Sequence, residues 1–296
     1  MKIKCVILLA SYNGEDYIKS QINSILNQKN IDLKLIISDD NSNDNTVKLI
    51  QSFNDDRITL LPIIRSTGSA SQNFFRLLRD VDFNSFDYIS LADQDDIWEF
   101  DKLSRSIKKI MDEKVDAYSS NVTAFWDNGR ELLLDKSEKQ KRFDHLFSSA
   151  GPGCTYVFKK GLALNLKRQL IRQEKLTKRI DLHDWLIYTY ARENNYKWFV
   201  DINVTMKYRQ HGNNEFGANS GIIALKDRWS KARNGWYRNQ ILNISSFCSI
   251  NNRIVKLLTR NTYIDRLRLL KNLFQYRKKK KEAIFLGLIL IVPGFK

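Results

Sequence analysis

The sequence predicts an α/β protein with a mainly parallel central sheet, continued by a basic helical segment. Three observations predict it. The first hundred residues alternate short apolar runs with amphipathic stretches. Polar clusters fall just after the apolar runs. Beyond about Gly221, glycine becomes rare and Arg, Lys, Trp and Leu recur at helical spacing.

Taken in order, "KCVILLA" (4–10) is a buried strand by composition. "GEDYIKSQINSILNQ" then sets Tyr17, Ile18, Ile22, Ile25 and Leu26 on one helical face. "LKLIISDD" is a second strand, and "NSNDNTVKLIQSF" a helix that opens on Asn and Asp capping residues. "RITLLPII" is a third strand, which Pro62 confines to an edge or a bulge. "SQNFFRLLRDV" is a third helix and "DYISLA" a fourth strand. Strands and helices alternating at this spacing make βαβ units with right-handed crossovers, whose ligands bind at the carboxyl ends of the strands. The middle is mixed: "DAYSSNVTAFW" is strand-like, 136–142 is a charged surface segment, and "GPGCTYVFKKGLA" places two glycines before an apolar run and a helix. "DLHDWLIYTYARENN" is a helix with an acidic start, and "KWFVDINVTMKYRQHGNN" a strand ending in a polar loop.

At 296 residues the chain has room for one large domain or two small ones, and 43% hydrophobic with 28% charged residues fits a globular protein. The formal net charge of +16 draws polyanions: nucleic acid, phosphate-bearing ligands or an anionic membrane face. Three scattered cysteines, Cys5, Cys154 and Cys248, form neither a disulfide framework nor a zinc pattern, which fits a reducing compartment. The first apolar run is too short for a signal peptide.

Against that basic background, Asp93, Asp95 and Asp96 crowd into four positions directly behind the fourth strand. Like charges that close raise one another's pKa unless something positive lies between them. Ser11-Tyr12-Asn13 and Asp39-Asp40-Asn41 follow the first two strands in the same way. One such cluster alone is turn chemistry; three at equivalent strand ends point to one site. "ILLASYNGEDYIKSQINSILNQ", "LIISDDNSNDNT", "SLADQDDIW", "HDW" and "YRQHGNN" stand in the order and spacing of the inverting family 2 glycosyltransferases of GT-A fold. Among these the chain most resembles the bacterial rhamnosyltransferase-like members that build cell-wall and capsular polysaccharides, over about residues 1–220.

The resemblance implies a GT-A catalytic domain over 1–220 and a nucleotide-diphosphate sugar donor, first choice dTDP-L-rhamnose. It also implies a growing lipid-linked saccharide acceptor and a Mn²⁺ or Mg²⁺ cofactor. Asp93-Gln94-Asp95 then matches the family's DxD motif, with Asp95 the direct metal ligand and Asp93 near the ribose and metal waters. Asp96 is expected to cap the next helix. Asp40 would accept from the pyrimidine N3–H, with Asp39 beside it; Ser11 and Tyr12 would line base and ribose. Arg65 and Gly68 fall on the donor loop, and Arg209 and His211 near the diphosphate. Asp184 matches the base that inversion requires, with a helix N-cap as its alternative reading. His183, Trp185, Gly153 and Cys154 fall on the acceptor side, and Cys154 is a small buried residue, no nucleophile.

From Gly221 to Lys296 the expected element is a helical basic extension. Leu267, Leu270, Leu273 and Phe274 form one stripe there; Arg228, Lys231, Arg233 and Arg238 interleave with Trp229, Trp236 and Tyr237; Lys278–Lys281 precede the run "AIFLGLILIV". That run is half the roughly twenty residues of a membrane span. Such a segment fits an anionic bilayer surface, at the inner face of a bacterial cell membrane, or simply packs on the catalytic domain. Three alternatives remain open: a UDP-sugar-dependent galactosyl-, glucosyl- or N-acetylglucosaminyl-transferase of the same family, a silent sugar-nucleotide-binding protein of the same fold, and a nucleic-acid-binding protein. Under the enzyme reading no nucleic acid partner is expected, and a homodimer is left open.

Overall fold

The computed structural model describes residues 2–211, 229–231 and 233–291. The N-terminal alternation folds as β1 (Lys4–Ser11), α1 (Ile18–Leu26), β2 (Asp32–Asp39), α2 (Thr46–Gln51), β3 (Ile58–Leu60), α3 (Ala70–Asp80) and β4 (Tyr88–Ala92). These strands lie in the order β3-β2-β1-β4, all parallel. β3 is the outer strand and stops before Pro62, as a residue without an N–H requires. Register decides the site. Ser11 pairs with Asp39, and Leu9 with Ala92, so all three polar clusters leave the sheet on the same edge.

Beyond β4 the sheet turns mixed. β5 (Ile97–Trp98), α4 (Lys102–Asp112), β6 (Ala117–Phe125), β7 (Glu131–Leu134), β8 (Val157–Lys159), α5 (Lys160–Arg172), α6 (Glu174–Thr177), α7 (His183–Glu193) and β9 (Trp198–Arg209) follow. The order continues β8-β6-β9-β5, with β7 hairpinned onto β6. β5 has two residues and no periodicity to betray it, yet it is what closes the site. Ile97 pairs with Lys207 and Trp98 with Met206, which draws the end of β9 against the acidic loop. Asp96 does not cap α4: the helix begins six residues later and Asp101 stands at its N-cap.

Two apolar layers cover the sheet. One holds Cys5, Ile7 and Leu9 against α1 and α4. The other holds Val6, Leu8 and Ile89 against α3, α5 and α7. This second layer also takes in the C-terminal helices α8 (Trp236–Phe247), α9 (Arg253–Arg260), α10 (Tyr263–Leu269) and α11 (Lys280–Ile291). The expected extension thus packs on the sheet and its helices as part of one core; its boundary at 220/221, Arg228 and Gly212–Asn214 lie outside the described residues. The single stripe expected over 265–281 is broken. α10 ends at Leu269, a 3₁₀ segment follows, and Asn272 leaves helical geometry, so Leu267 and Phe274 face solvent while Leu270 and Leu273 turn inward. Leu273 packs onto α11 at Gly287, where an added Cβ would lie 2.8 Å from its Cδ2. No helix among the described residues is long and apolar enough to cross a membrane.

One shared core predicts one unfolding transition. Leu290 on α11 and Leu8 on β1 are both fully buried in the same layer. Leu290→Ala and Leu8→Ala should each cost about 2–5 kcal/mol, and each should shift a single urea transition read by both circular dichroism and tryptophan fluorescence. A second transition sensitive to Leu290→Ala alone would mean an independent C-terminal unit.

Candidate functional site

A cleft of about 1270 Å³ opens where the carboxyl ends of β1, β2 and β4 meet the start of α7 and the C-terminal helices. Its floor at these strand ends is laced by short polar side chains. Asp39 is fully buried and accepts from Ser11 Oγ at 2.8 Å and from the Ser42 N–H and Oγ at 2.8 and 2.7 Å. It therefore ties two strand ends together and does not line the cleft. Asn73 of α3 donates to the Ser38 carbonyl at 2.8 Å, holding the same strand ends from below. Asp40 does line the cleft, and accepts from Ser66 Oγ at 3.0 Å, from Gly68 N–H at 3.1 Å and from Thr67 N–H. Gly68 sits at φ +92°, where a side chain would strain the loop. Ser11 and the half-exposed Tyr12 line the cleft; Arg65 is exposed and does not.

The acidic loop divides its residues between scaffold and cleft. Gln94 clamps the Tyr12 backbone, accepting from its N–H at 2.8 Å and donating to its carbonyl at 2.9 Å. A Cβ on Gly14 would lie 2.4 Å from Gln94 Oε1, so the glycine leaves room for that clamp. Asp93 and Asp95 line the cleft. Asp95 Oδ2 meets His211 Nε2 at 2.7 Å, and the imidazole stacks on Tyr17 with ring centres 4.8 Å apart. Arg209 is part of the frame: its Nε donates to the Asp95 carbonyl at 3.0 Å, and its guanidinium lies over the rings of Tyr17 and Phe125. Asp96 is fully buried, its Oδ2 finds no hydrogen-bond partner, and burial followed by its neighbours Asp95 and Asp93 pushes its pKa well up.

Across the cleft stands Asp184. It lies in the first turn of α7 and is no N-cap, since Leu182 holds that place. Burial raises its pKa to about 6 despite hydrogen bonds from the Trp185 N–H and Ser149. His183 beside it stacks on Phe74 at 4.0 Å, and burial drives its pKa down to about 3, so no positive charge stabilises the Asp184 carboxylate from there. The Ser71 hydroxyl donates to the Asp181 carbonyl at 2.5 Å and receives the His183 N–H at 3.0 Å. Gly153 borders both residues: a Cβ there would stand 2.6 Å from His183 Nε2 and 3.2 Å from Asp184 Cβ. Trp185 is buried and donates to the His145 carbonyl at 2.8 Å, so it anchors the helix. Cys154 lies behind the cleft, fully buried, its thiol pushed well up chiefly by burial, as an inert residue. Sequence reasoning misses Ser71, Tyr17 and Lys136, whose contacts in the cleft come from distant parts of the chain. It also reads Lys278 and Lys279 only as part of a basic run.

Two groupings could hold a metal. Asp93, Asp96 and Cys154 each bring a ligand atom within 4.8 Å of the others. Burial favours the protonated forms of Asp96 and Cys154, and a thiolate suits softer metals. Asp93 and Asp95, at the cleft with His211, offer carboxylate oxygens, the donor set for Mg²⁺ or Mn²⁺. The residues present fit a hard divalent cation at the DxD carboxylates.

The glycosyl transferase family 2 model matches residues 6–163. The dTDP-rhamnosyl transferase RfbG of Shigella flexneri is 40% identical over 97% of this chain and 100% of its own length. A UDP-Glc:alpha-D-GlcNAc-diphosphoundecaprenol beta-1,3-glucosyltransferase of Escherichia coli, WfgD, is 30% identical over 51% of this chain and 58% of its own. The mannosyltransferase PcManGT of Pyrobaculum calidifontis, solved with GDP-Man and Mn²⁺, superposes with a TM-score of 0.52 at 15% identity, covering 97% of this chain and 83% of that one.

The crowding at Gly153 is testable. Gly153→Ala should lower stability by about 1–3 kcal/mol and displace the His183–Asp184 pair. A thermal melt together with the His183 imidazole NMR signal checks both. An unchanged melting temperature and an unchanged imidazole signal would mean that the cleft wall yields freely.

Proposed function

The chain belongs to glycosyl transferase family 2, and from that premise we propose that it transfers L-rhamnose from dTDP-L-rhamnose, with inversion, onto a lipid-linked saccharide of a cell-surface polysaccharide. The observation that carries the reading is the placement of Asp184, with its raised pKa, in the same cleft as Asp93 and Asp95. Asp93 and Asp95 would hold the divalent cation, which supplies positive charge to the leaving diphosphate when bound. Asp40 recognises the base. A carboxylate has about four lone-pair sites, and the 66–68 loop uses three, leaving one for a pyrimidine N3–H. Ser11 and Tyr12 flank base and ribose, and Gln94 sets the height of the floor through Tyr12.

Inversion then needs a single base. An acceptor hydroxyl oxygen forms its bond to the anomeric carbon on the face opposite the diphosphate; the bond to the diphosphate oxygen breaks; the hydroxyl proton passes to an Asp184 carboxylate oxygen. A carboxylate raised towards 6 by burial is a stronger base than an exposed one and is still ionised at neutral pH. Exposed apolar side chains on the C-terminal helices, among them Ile264, Leu267, Phe274, Ile284 and Leu288, lie among exposed Arg268, Lys271, Lys280 and Lys281. That mixture supports a place at the anionic inner face of the membrane.

Three outcomes test the reading. In thermal shifts against nucleotide sugars with and without Mn²⁺, dTDP-L-rhamnose with Mn²⁺ should stabilise most, and Asp95→Ala should abolish the Mn²⁺-dependent part; a preference for UDP-glucose would transfer the reading to a glucosyltransferase. Asp184→Asn should keep donor binding and lose turnover by about two to four orders of magnitude. Because only the ionised carboxylate accepts the proton, wild-type turnover should climb as pH rises through about 6 and level off above it. A profile flat from pH 5 to 8 would remove Asp184 from that role.

A further inference from the structure

The turn that delivers Asp184 to the cleft is held by side chains from distant parts of the sequence. Residues 178–182 join α6 to α7 as a short irregular stretch, and its backbone polar groups need partners from elsewhere. α3 supplies some of them. Ser71 Oγ donates to the Asp181 carbonyl at 2.5 Å, and Gln72 Nε2 donates to the Ile180 carbonyl at 3.2 Å. α8 supplies others. Gln240 is buried and grips Asp181 twice, accepting from its N–H at 3.0 Å and donating to its Oδ2 at 2.9 Å. The same Oδ2 accepts from the Trp236 indole N–H at 2.6 Å. Asn243, further along the helix, donates to the Arg179 carbonyl at 2.9 Å. α8 also reaches the other flank of Asp184. The Tyr237 ring stacks on Trp185 with ring centres 5.6 Å apart, and its hydroxyl donates to the Phe147 carbonyl at 2.7 Å. Phe147 leads into the stretch that walls Asp184 through Ser149 and Gly153. The start of α8 thus grips the chain three residues before Asp184 and one residue after it.

We propose that Asp181, Trp236, Tyr237 and Gln240 are positioning residues that fix the Asp184 carboxylate in the cleft, which makes the C-terminal extension a working part of the catalytic centre. The proposal rests on the reading of Asp184 as the base. The turn before α7 has no strand ladder of its own, so these side chains set its position. A reacting group misplaced by about 1 Å can lose about a hundredfold in rate. Asp181 is the centre of the clamp, since one carboxylate oxygen holds both Trp236 and Gln240. Facing Asp184 from other elements are the neutral His183, the Tyr156 hydroxyl at 3.4 Å from its backbone carbonyl, and Lys136, whose charge lowers its pKa.

The test uses the full-length protein as wild type, Asp181→Ala, Gln240→Ala and Asp181→Asn. Asp181→Asn removes the charge but keeps an oxygen that can accept from Trp236 and Gln240. It therefore separates the clamp from any through-space effect of the Asp181 charge on Asp184. Binding of dTDP with Mn²⁺, measured by calorimetry, should be alike in all four proteins and reports the donor reading by itself. The Asp184 carboxyl is then titrated by ¹³C NMR. Its midpoint should lie near 6 in wild type and in Asp181→Asn. In both alanine variants it should fall by about one pH unit or more, as the turn loosens and water reaches the carboxylate. Turnover of dTDP-L-rhamnose with water as acceptor should drop by about ten- to a hundredfold in the alanine variants at unchanged KM, and Asp181→Asn should recover most of it. A role in stability alone would lower the melting temperature and leave the titration in place. An unmoved titration in both alanine variants would overturn the clamp. So would Asp181→Asn behaving like Asp181→Ala, which would assign the effect to charge. A wild type that neither binds dTDP nor turns over dTDP-L-rhamnose would overturn the donor reading, and the titration would still decide the clamp.

Discussion

Everything in this molecule is arranged around carboxylates held closer together than water-exposed charges would choose. Asp93, Asp95 and Asp96 leave β4 within four residues, and the fold surrounds them with fixed positive or donating groups. His211 meets Asp95, Arg209 grips the loop through the Asp95 carbonyl, and the Arg209 N–H donates to Asp96 at 3.3 Å. Lys102 is buried beneath, over the Trp98 ring at 3.7 Å, and its ammonium feels Asp96 and Cys154. Under the proposed function, a divalent cation held by Asp93 and Asp95 would relieve the repulsion among these carboxylates.

The opposite wall uses the reverse device. Burial raises the Asp184 pKa, and under the proposed function that is what would make it a base. His183 is adjacent but buried and neutral, and Gly153 has no side chain to push either residue aside. Had His183 been protonated, its charge would have drawn the Asp184 pKa down and weakened it as a base. Asp95 stands against His211 and Arg209, whereas Asp184 stands beside a neutral His183, and Asp93, Asp95 and Asp184 all line a single cleft.

Much of this was legible in the sequence, for physical reasons. Parallel βαβ units declare themselves by period, and the rule that ligands sit at strand carboxyl ends brings Ser11, Asp40, Asp93 and Asp95 to one edge of the sheet. What stayed hidden depends on partners remote in the chain. Asp39 looks like Asp40 in sequence, but its neighbour Ser11 across the register turns it inward. Arg209 reads as a phosphate ligand until Tyr17 and Phe125 are seen to sandwich it. The two-residue β5 has no period at all. Whether the C-terminal helices meet a membrane or pack on the rest of the chain stayed open because their basic composition hides the face that Ile241, Leu258 and Leu290 bury in the main core.

The most direct test of the central interaction is anomalous diffraction at the manganese edge from crystals soaked with dTDP and Mn²⁺. A single peak within coordination distance of an Asp95 carboxylate oxygen, bridging to the nucleotide diphosphate, is expected. Nucleotide density with no manganese at Asp95, and Asp95 still paired with His211, would contradict it.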